Sequence, residues 1–192
     1  MGSVRYSSSW PMQEGINEII ATTRLNAAPI GIICRGGNLM MSVFRTSHTA
    51  ENIEEQGLIV ANITHDPVLF VKTAFSDLPS EEFIKEEIEG RTVWRLKGAV
   101  SWVVYETRVD QKTEQKLLVS LTPIRVEFSD TPLIPINRGL NSIIEATVHG
   151  TRYVLTRDQK LKFLIDHHMD LVRRCGGERE FLALRLLDEY IE

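Results

Sequence analysis

Cysteine is scarce in this sequence. Its 192 residues contain two, Cys34 and Cys175, 141 positions apart. Without a CxxC pair, neither a zinc ribbon nor a redox dithiol is expected. Spacing alone leaves a disulfide open, although two buried thiols are the commoner arrangement. No apolar run reaches the roughly 18 residues of a membrane span, so none is expected. The opening MGSVRYSSSWP has no apolar stretch for a signal peptide. Tyr6 stands where a myristoylation signal carries Ser or Thr. A soluble, cytoplasmic protein is the expectation. Gly and Pro, 12 and 7, are too few for collagen-like or linker-dominated designs. Neither a G-x-S-x-G elbow nor a G-x-x-x-x-G-K-[ST] loop occurs. No set of His, Cys and carboxylate residues shows ligand spacing along the chain, so no metal is expected. Basic charge is also lacking: the net charge is −4 and the pI about 5.8. The three Trp and four Tyr do not interleave with a basic stripe, so a nucleic-acid partner is not expected.

What is present is ordinary globular chemistry, with 43% hydrophobic and 25% charged residues. A chain of this length buries roughly 70% of its unfolded surface without staples. Charge is unevenly spread. Residues 51–90 carry ten acidic and two basic side chains, a local −8, which leaves +4 for the remainder. Within that block SEEFIKEEIEG (80–90) reads as a short solvated helix, with Phe83, Ile84 and Ile88 as a thin apolar stripe.

The first two-thirds read mainly as β. INEIIATTR (16–24) is rich in β-branched residues, and IGIICR (30–35) reads as a buried strand. Gly36-Gly37 then turns the chain into NLMMSVFR (38–45), a hairpin. GLIVANIT (57–64) is another strand, and HDPVLFVKTAF (65–75) breaks at Asp66-Pro67 and resumes with apolar residues. Residues 91–110 alternate and carry Gly98 as a bend, and residues 115–128 end in alternation at Ile124, Val126 and Phe128. Five to seven strands with short connections predict a closed or nearly closed barrel.

The last third changes period. Leu140, Ile143, Ile144, Thr147 and Val148 mark one helix face, with Asn137 as N-cap and Gly150 as its stop. Leu161, Leu164, Ile165, His168 and Met169 mark a second helix, ending at Gly176-Gly177. Ala183, Leu186, Leu187, Tyr190 and Ile191 mark a third. The expected organisation is a mainly β domain over 14–130 and a three-helix appendage over 136–192, parted near Thr131 to Pro135.

Two segments carry candidate chemistry. In FRTSHTAENIEEQG (44–57), Arg45, Ser47 and Thr49 surround a helix start that Gly57 terminates. Unpaired amides, the helix dipole, hydroxyls and a guanidinium together make an anion site suited to a phosphate monoester. In TTRLNAAPIGII (22–33), Thr22, Thr23 and Asn26 supply polar groups, while Ala28 and Pro29 supply thin walls for a flat ring. Each pattern alone also fits a plain helix cap or a plain turn between strands.

In their order and spacing the two segments resemble the FMN-binding split barrels of the flavin-reductase-like branch. The resemblance rests on Thr22-Thr23, Asn26-Ala27-Ala28-Pro29, Ser47-His48-Thr49, Gly57 and Val60-Ala61-Asn62. A closer likeness is to an uncharacterised, largely archaeal family that pairs such a barrel with a helical C-terminal part. Asn52, NITHDP (62–67) and NRGLNSIIEATVHGTR (137–152) echo it.

The resemblance implies a split β-barrel plus helices, and a homodimer with FMN near its interface. Ser47 and Thr49 would hold the phosphate, with Arg45 added on physical grounds. Thr22, Thr23, Asn26, Ala28 and Pro29 would border the isoalloxazine and ribityl chain, and Asn62 would lie beneath. The implied activity is an oxidoreductase that uses FMN for hydride or electron transfer, with a nicotinamide coenzyme as candidate donor. A deazaflavin in the same fold, or a non-enzymatic flavin-binding module, is the alternative. No side chain needs to act as acid or base, because the flavin carries the redox chemistry. His149 reads as a helix end, His168 as a core histidine, and Arg138 and Arg152 as either flavin or interface contacts.

Overall fold

The computed structural model describes residues 11–12, 15–99, 101–128 and 138–192, and for residues 15, 16, 128, 138 and 175 the backbone alone. Asn137, the 131–135 boundary and the side chains of Arg138 and Cys175 therefore lie outside the described parts. The described chain forms two compact units. One comprises the residues up to 64 together with 78–128. The other comprises 65–77 together with 138–192.

The first unit is a closed six-stranded barrel. Its strands are β1 (Gly15–Thr23), β2 (Asn26–Arg35), β3 (Asn38–Phe44), β4 (Leu58–Ile63), β7 (Ser101–Lys112) and β8 (Lys116–Phe128). They run in the order β1-β2-β3-β8-β7-β4, with β4 closing on β1. β5 (Phe83–Ile88) and β6 (Arg91–Leu96) form a separate hairpin in the same unit. Alternation along the barrel strands sends one face inward, where Ile19, Ile32, Met41, Ile59, Tyr105 and Leu117 are almost fully buried. Burying side chains of this size stabilises by roughly 1.5–3 kcal/mol each.

The barrel is closed but not uniformly paired. β2 pairs with β1 along its whole length, from Thr23–Asn26 to Gly15–Cys34. It meets β3 only at Ile33–Met40, Cys34–Leu39 and Arg35–Asn38. On its other edge β3 pairs with β8 from Leu39 to Phe44. Residues 26–32 of β2 therefore have a second edge that β3 does not cover. Pro29, which has no N–H to donate, sits on this stretch. The small-residue stretch 27–29 is part of β2 itself. The turn before it is the two-residue loop Arg24-Leu25, with Arg24 at a left-handed φ of 53°.

Three expectations are corrected. Residues 80–90 are not a helix: a short 3-10 turn at Ser80–Glu82 leads into β5. Cross-strand partners on β6 settle the matter, with Lys85 over the Trp94 ring and Arg95 bonded to Glu86 at 2.5 Å. The Glu89-Gly90 turn, both residues at positive φ, closes this hairpin. Residues 65–75 are not a continuation of the sheet but α2 (Pro67–Phe75), whose N-cap Asp66 accepts from the Val68 amide at 2.9 Å. Gly150 does not stop a helix. α3 (Arg138–Thr156) runs through it, so His149 lies mid-helix.

The second unit consists of α2, α3, α4 (Gln159–Cys175) and α5 (Glu178–Ile191). Ile143, Ala146, Ile165, Met169, Val172, Ala183 and Leu187 form its buried centre. Gly150 is buried where its helix packs closely on neighbouring side chains. An added Cβ would meet Leu187 at 3.2 Å, Ile191 at 3.3 Å and Phe75 at 3.5 Å. No described helix is long and apolar enough to cross a membrane.

Candidate functional site

α1 (His48–Gln56) begins where β3 ends, beside the start of β2. Ser47 is its N-cap. The hydroxyl accepts from the Ala50 amide at 3.2 Å and donates to the Phe44 carbonyl at 2.7 Å. Gly57, at φ 65°, ends the helix and returns its amide to Ile53 at 2.9 Å. The helix is anchored inward by Ala50 and Ile53, which belong to the barrel core. His48 and Thr49 occupy the first two helical positions, where an amide has no acceptor within the helix. These amides, with the positive end of the dipole, form an anion-binding donor set.

Around that helix start lies a polar network built from both predicted segments. Asn26 donates its amide to the buried Thr49 hydroxyl at 2.9 Å, so Thr49 acts as acceptor there and its own proton is not used in that bond. Asn26 also reaches the Thr23 hydroxyl at 3.5 Å. Asn52, on α1, donates to the same hydroxyl at 3.1 Å and to the Thr23 carbonyl at 3.3 Å. Thr23, Asn26, Ser47 and Thr49 are thus brought into one place, with Asn52 as a further member. Asn52 was visible in the sequence only as a family-like echo, because its value lies in facing β1 from the same helix as Thr49. Ala28 and Pro29 lie half-buried on the adjoining edge of β2.

Arg45 is exposed and donates to the Thr113 carbonyl at 3.2 Å, on the β7–β8 loop. Its backbone amide bonds to Gln115 at 2.9 Å, so the arginine is carried on a fixed corner. Its guanidinium has donors left beyond that contact.

Thr22 and Asn62 are placed differently. Asn62 is 0% exposed. Its amide donates to the Ile20 carbonyl at 2.9 Å, the Thr22 hydroxyl at 3.0 Å and the Val60 carbonyl at 3.2 Å. Its oxygen accepts from the Leu96 amide at 2.8 Å. Thr22 in turn donates to the Trp94 carbonyl at 2.5 Å. Both side chains are engaged with protein groups and splice β6 onto β1 and β4.

Other titratable groups lie apart from this cluster. His48 is exposed and pairs with Glu51 at 3.3 Å. Cys34 is buried in the barrel core, and burial pushes the neighbouring Tyr105 hydroxyl above the usual phenol range. In the helical unit, burial holds the His168 imidazole below its ordinary range, against an opposing pull from Glu145. Two surface clefts line the barrel unit elsewhere, one of about 1080 Å³ beside Arg35, Met40 and Arg108, and one of about 680 Å³ beside Glu86 and Arg125.

Comparison with known proteins gives this geometry a context. The chain matches a crystal structure of an FMN-bound DUF447 protein from Methanosarcina mazei at 41% identity and a TM-score of 0.88. The match covers 95% of this chain and 98% of the other. More distant likenesses establish the barrel fold alone. A 2-nitrobenzoate 2-nitroreductase from Pseudomonas fluorescens is 15% identical, with TM-score 0.50 over 64% of this chain and 68% of its own. An FMN-binding protein from Thermus thermophilus is 12% identical, with TM-score 0.50 over 67% and 82%. Residues 17–130 match the N-terminal domain of the protein family of unknown function DUF447, and residues 137–189 match its remaining part. The chain belongs to the DUF447 family, which joins a flavin-reductase-like split barrel to C-terminal helices.

Proposed function

We propose that this chain is an FMN-binding flavoprotein and an oxidoreductase, working as a homodimer with the flavin near the subunit interface. The observation that carries the reading is the polar network at the α1 N-terminus, in a chain 41% identical to an FMN-bound relative. The donor set fits the group. A phosphate needs convergent N–H and O–H donors, and the amides of His48 and Thr49 with the Thr49 hydroxyl supply them, joined by the Ser47 hydroxyl once its proton turns from the Phe44 carbonyl to the phosphate. Arg45 adds a positive charge at the same corner. A flat ring needs a thin wall beside it, and the uncovered edge of β2 at Ala28 and Pro29 supplies one.

In this reading Ser47, Thr49 and Arg45 bind and orient the phosphate. Asn26 holds the Thr49 hydroxyl in place, and Thr23, itself held by Asn52, steadies Asn26, which lowers the entropy cost of ordering the hydroxyl on binding. Thr22 and Asn62 keep the barrel wall rigid behind them. Bound FMN would supply hydride or electron transfer, and the protein would supply position and exclusion of water. Residues 26–32 of β2 are not paired with β3, and a second subunit is expected to complete the site beside them.

The test is the spectrum of purified protein. Flavin absorbance bands, bleached on addition of NADH or NADPH, are the expected result. A colourless protein that fails to quench the fluorescence of added FMN would overturn the reading. Tighter binding of a deazaflavin than of FMN would move the chain to that cofactor. Bound FMN that no donor reduces would make it a binding module.

A further inference from the structure

We propose that Glu145, His149 and His168 form a binding site for a divalent transition metal of the zinc type, tying α3 to α4 independently of any flavin. Glu145 and His149 are four apart on α3 and so share one face. His168 comes from α4. One ligand-competent atom from each of the three side chains lies within 4.8 Å of the others. The two imidazole rings are stacked at 5.8 Å and 28°.

A second observation concerns the same two rings. The Nδ1 atoms of His149 and His168 are both buried and have no hydrogen-bond partner. An orphan buried polar atom is destabilising. Two of them, on facing rings with a carboxylate alongside, are accounted for by an ion that accepts lone pairs from the ring nitrogens. Glu145 is exposed, which gives the ion a route from solvent.

Two imidazoles and one carboxylate favour zinc and its borderline-soft neighbours over magnesium or calcium, which prefer all-oxygen sets. Tetrahedral bonds of about 2.0–2.1 Å place ligand atoms roughly 3.3 Å apart. The ligand atoms, which lie within 4.8 Å of one another, draw together to that spacing on binding. Water takes the fourth position, as in three-ligand zinc sites.

The experiment uses the full chain without a histidine tag, stripped with chelator, dialysed against Zn²⁺ and assayed for metal and FMN in the same samples. About one Zn²⁺ per chain is expected, and Co²⁺ in its place should give the intense visible bands of a four-coordinate ion. Glu145→Gln, His149→Gln and His168→Gln should each weaken Zn²⁺ binding at least tenfold, because loss of supporting groups alone costs 10–100-fold. His65→Gln should leave it unchanged. Failure to retain zinc, or retention that survives the double variant His149→Gln with His168→Gln, overturns the proposal. If a histidine variant does not fold, the exposed Glu145→Gln decides: unchanged affinity overturns the site. Flavin content is a separate readout, so zinc without flavin, or flavin without zinc, tells which of the two readings has failed.

Discussion

The barrel and the helical unit bury polar side chains in opposite ways. In the barrel, Asn62 bonds to groups as far as 42 residues away, and Thr22 reaches 72 residues to Trp94. In the helical unit the buried hydroxyls of Thr73 and Thr147 bond the carbonyls four residues back, Leu69 and Ile143, each at 2.7 Å. A buried polar group such as Asn62 in the barrel therefore specifies topology, whereas these threonines in the helices bond back to their own helix. The helical unit gets its specificity from shape instead, from Gly150, Ala146 and Ala183 at close-packed positions.

The largest effect should come from breaking the barrel's splice. Asn62→Leu keeps the volume but strands the Leu96 amide and removes three donated bonds. At about 1–3 kcal/mol per stranded buried group, a loss of about 3–4 kcal/mol is expected. None of the three tryptophans, Trp10, Trp94 and Trp102, falls within 65–77 or 138–192. Tryptophan fluorescence in a urea titration should report the fall, while helix ellipticity from α2 to α5 should lag behind it. Coincident transitions of unchanged midpoint would show that Asn62 is not a splice.

Next in size is a binding effect on the same unit. Ser47→Ala with Thr49→Ala should weaken FMN binding by about 2–4 kcal/mol, since each bond to a charged group is worth about 1.5–3. Stability should fall by about 1–2 kcal/mol as the helix loses its cap. The difference between the two numbers separates a ligand site from a structural cap. An FMN titration showing a loss no larger than the stability loss would reduce Ser47 to a cap.

Much of this was legible in the sequence. The strands around Gly36-Gly37, the α1 start at Ser47 and its end at Gly57 follow from local turn and cap chemistry. The three C-terminal helix faces follow from period alone. What was illegible depended on distant partners. Residues 83–88 alternate weakly enough to mimic a helix until β6 supplies Trp94 and Arg95 opposite. Asp66-Pro67 is a helix start as well as a break, and only the packing of Val68 and Val71 on α3 and α5 residues decides between them. The resemblance places Asn62 beneath the flavin. Its four protein partners lie on β1, on β6 and on its own strand β4, and the distant ones are invisible in one dimension. The Glu145, His149 and His168 grouping escaped for the same reason, since its third member stands on another helix.

Shape specificity in the helical unit is tested at Gly150. Gly150→Leu must push Leu187, Ile191 and Phe75 aside, and overpacking of this kind costs about 1–3 kcal/mol. Gly150→Ala should stay within about 1 kcal/mol, because a helix-propensity gain of about 1 offsets contacts at 3.2–3.3 Å with flexible side-chain tips. Thermal melts followed by ellipticity should therefore rank alanine close to the native chain and leucine well below it. A leucine variant as stable as the alanine one would mean that the packing there is loose.

The smallest effect is the sharpest contrast with Asn62. Thr147 is 4% exposed, so its hydroxyl is as inaccessible as many core groups. Thr147→Val removes that hydroxyl and keeps the shape. The Ile143 carbonyl still receives the Thr147 amide in the helix ladder, so no partner is stranded. Removing both the group and its need for a partner is close to neutral. A change of less than about 0.5 kcal/mol is expected in urea unfolding followed by ellipticity. Asn62→Leu also replaces a buried polar side chain with an apolar one of similar volume, and differs in what it leaves unpaired. If Thr147→Val cost as much as Asn62→Leu, burial itself would set the penalty. The stated ordering requires instead that the penalty be set by the partners left behind, which in the barrel lie on other strands and in the helices lie one turn away.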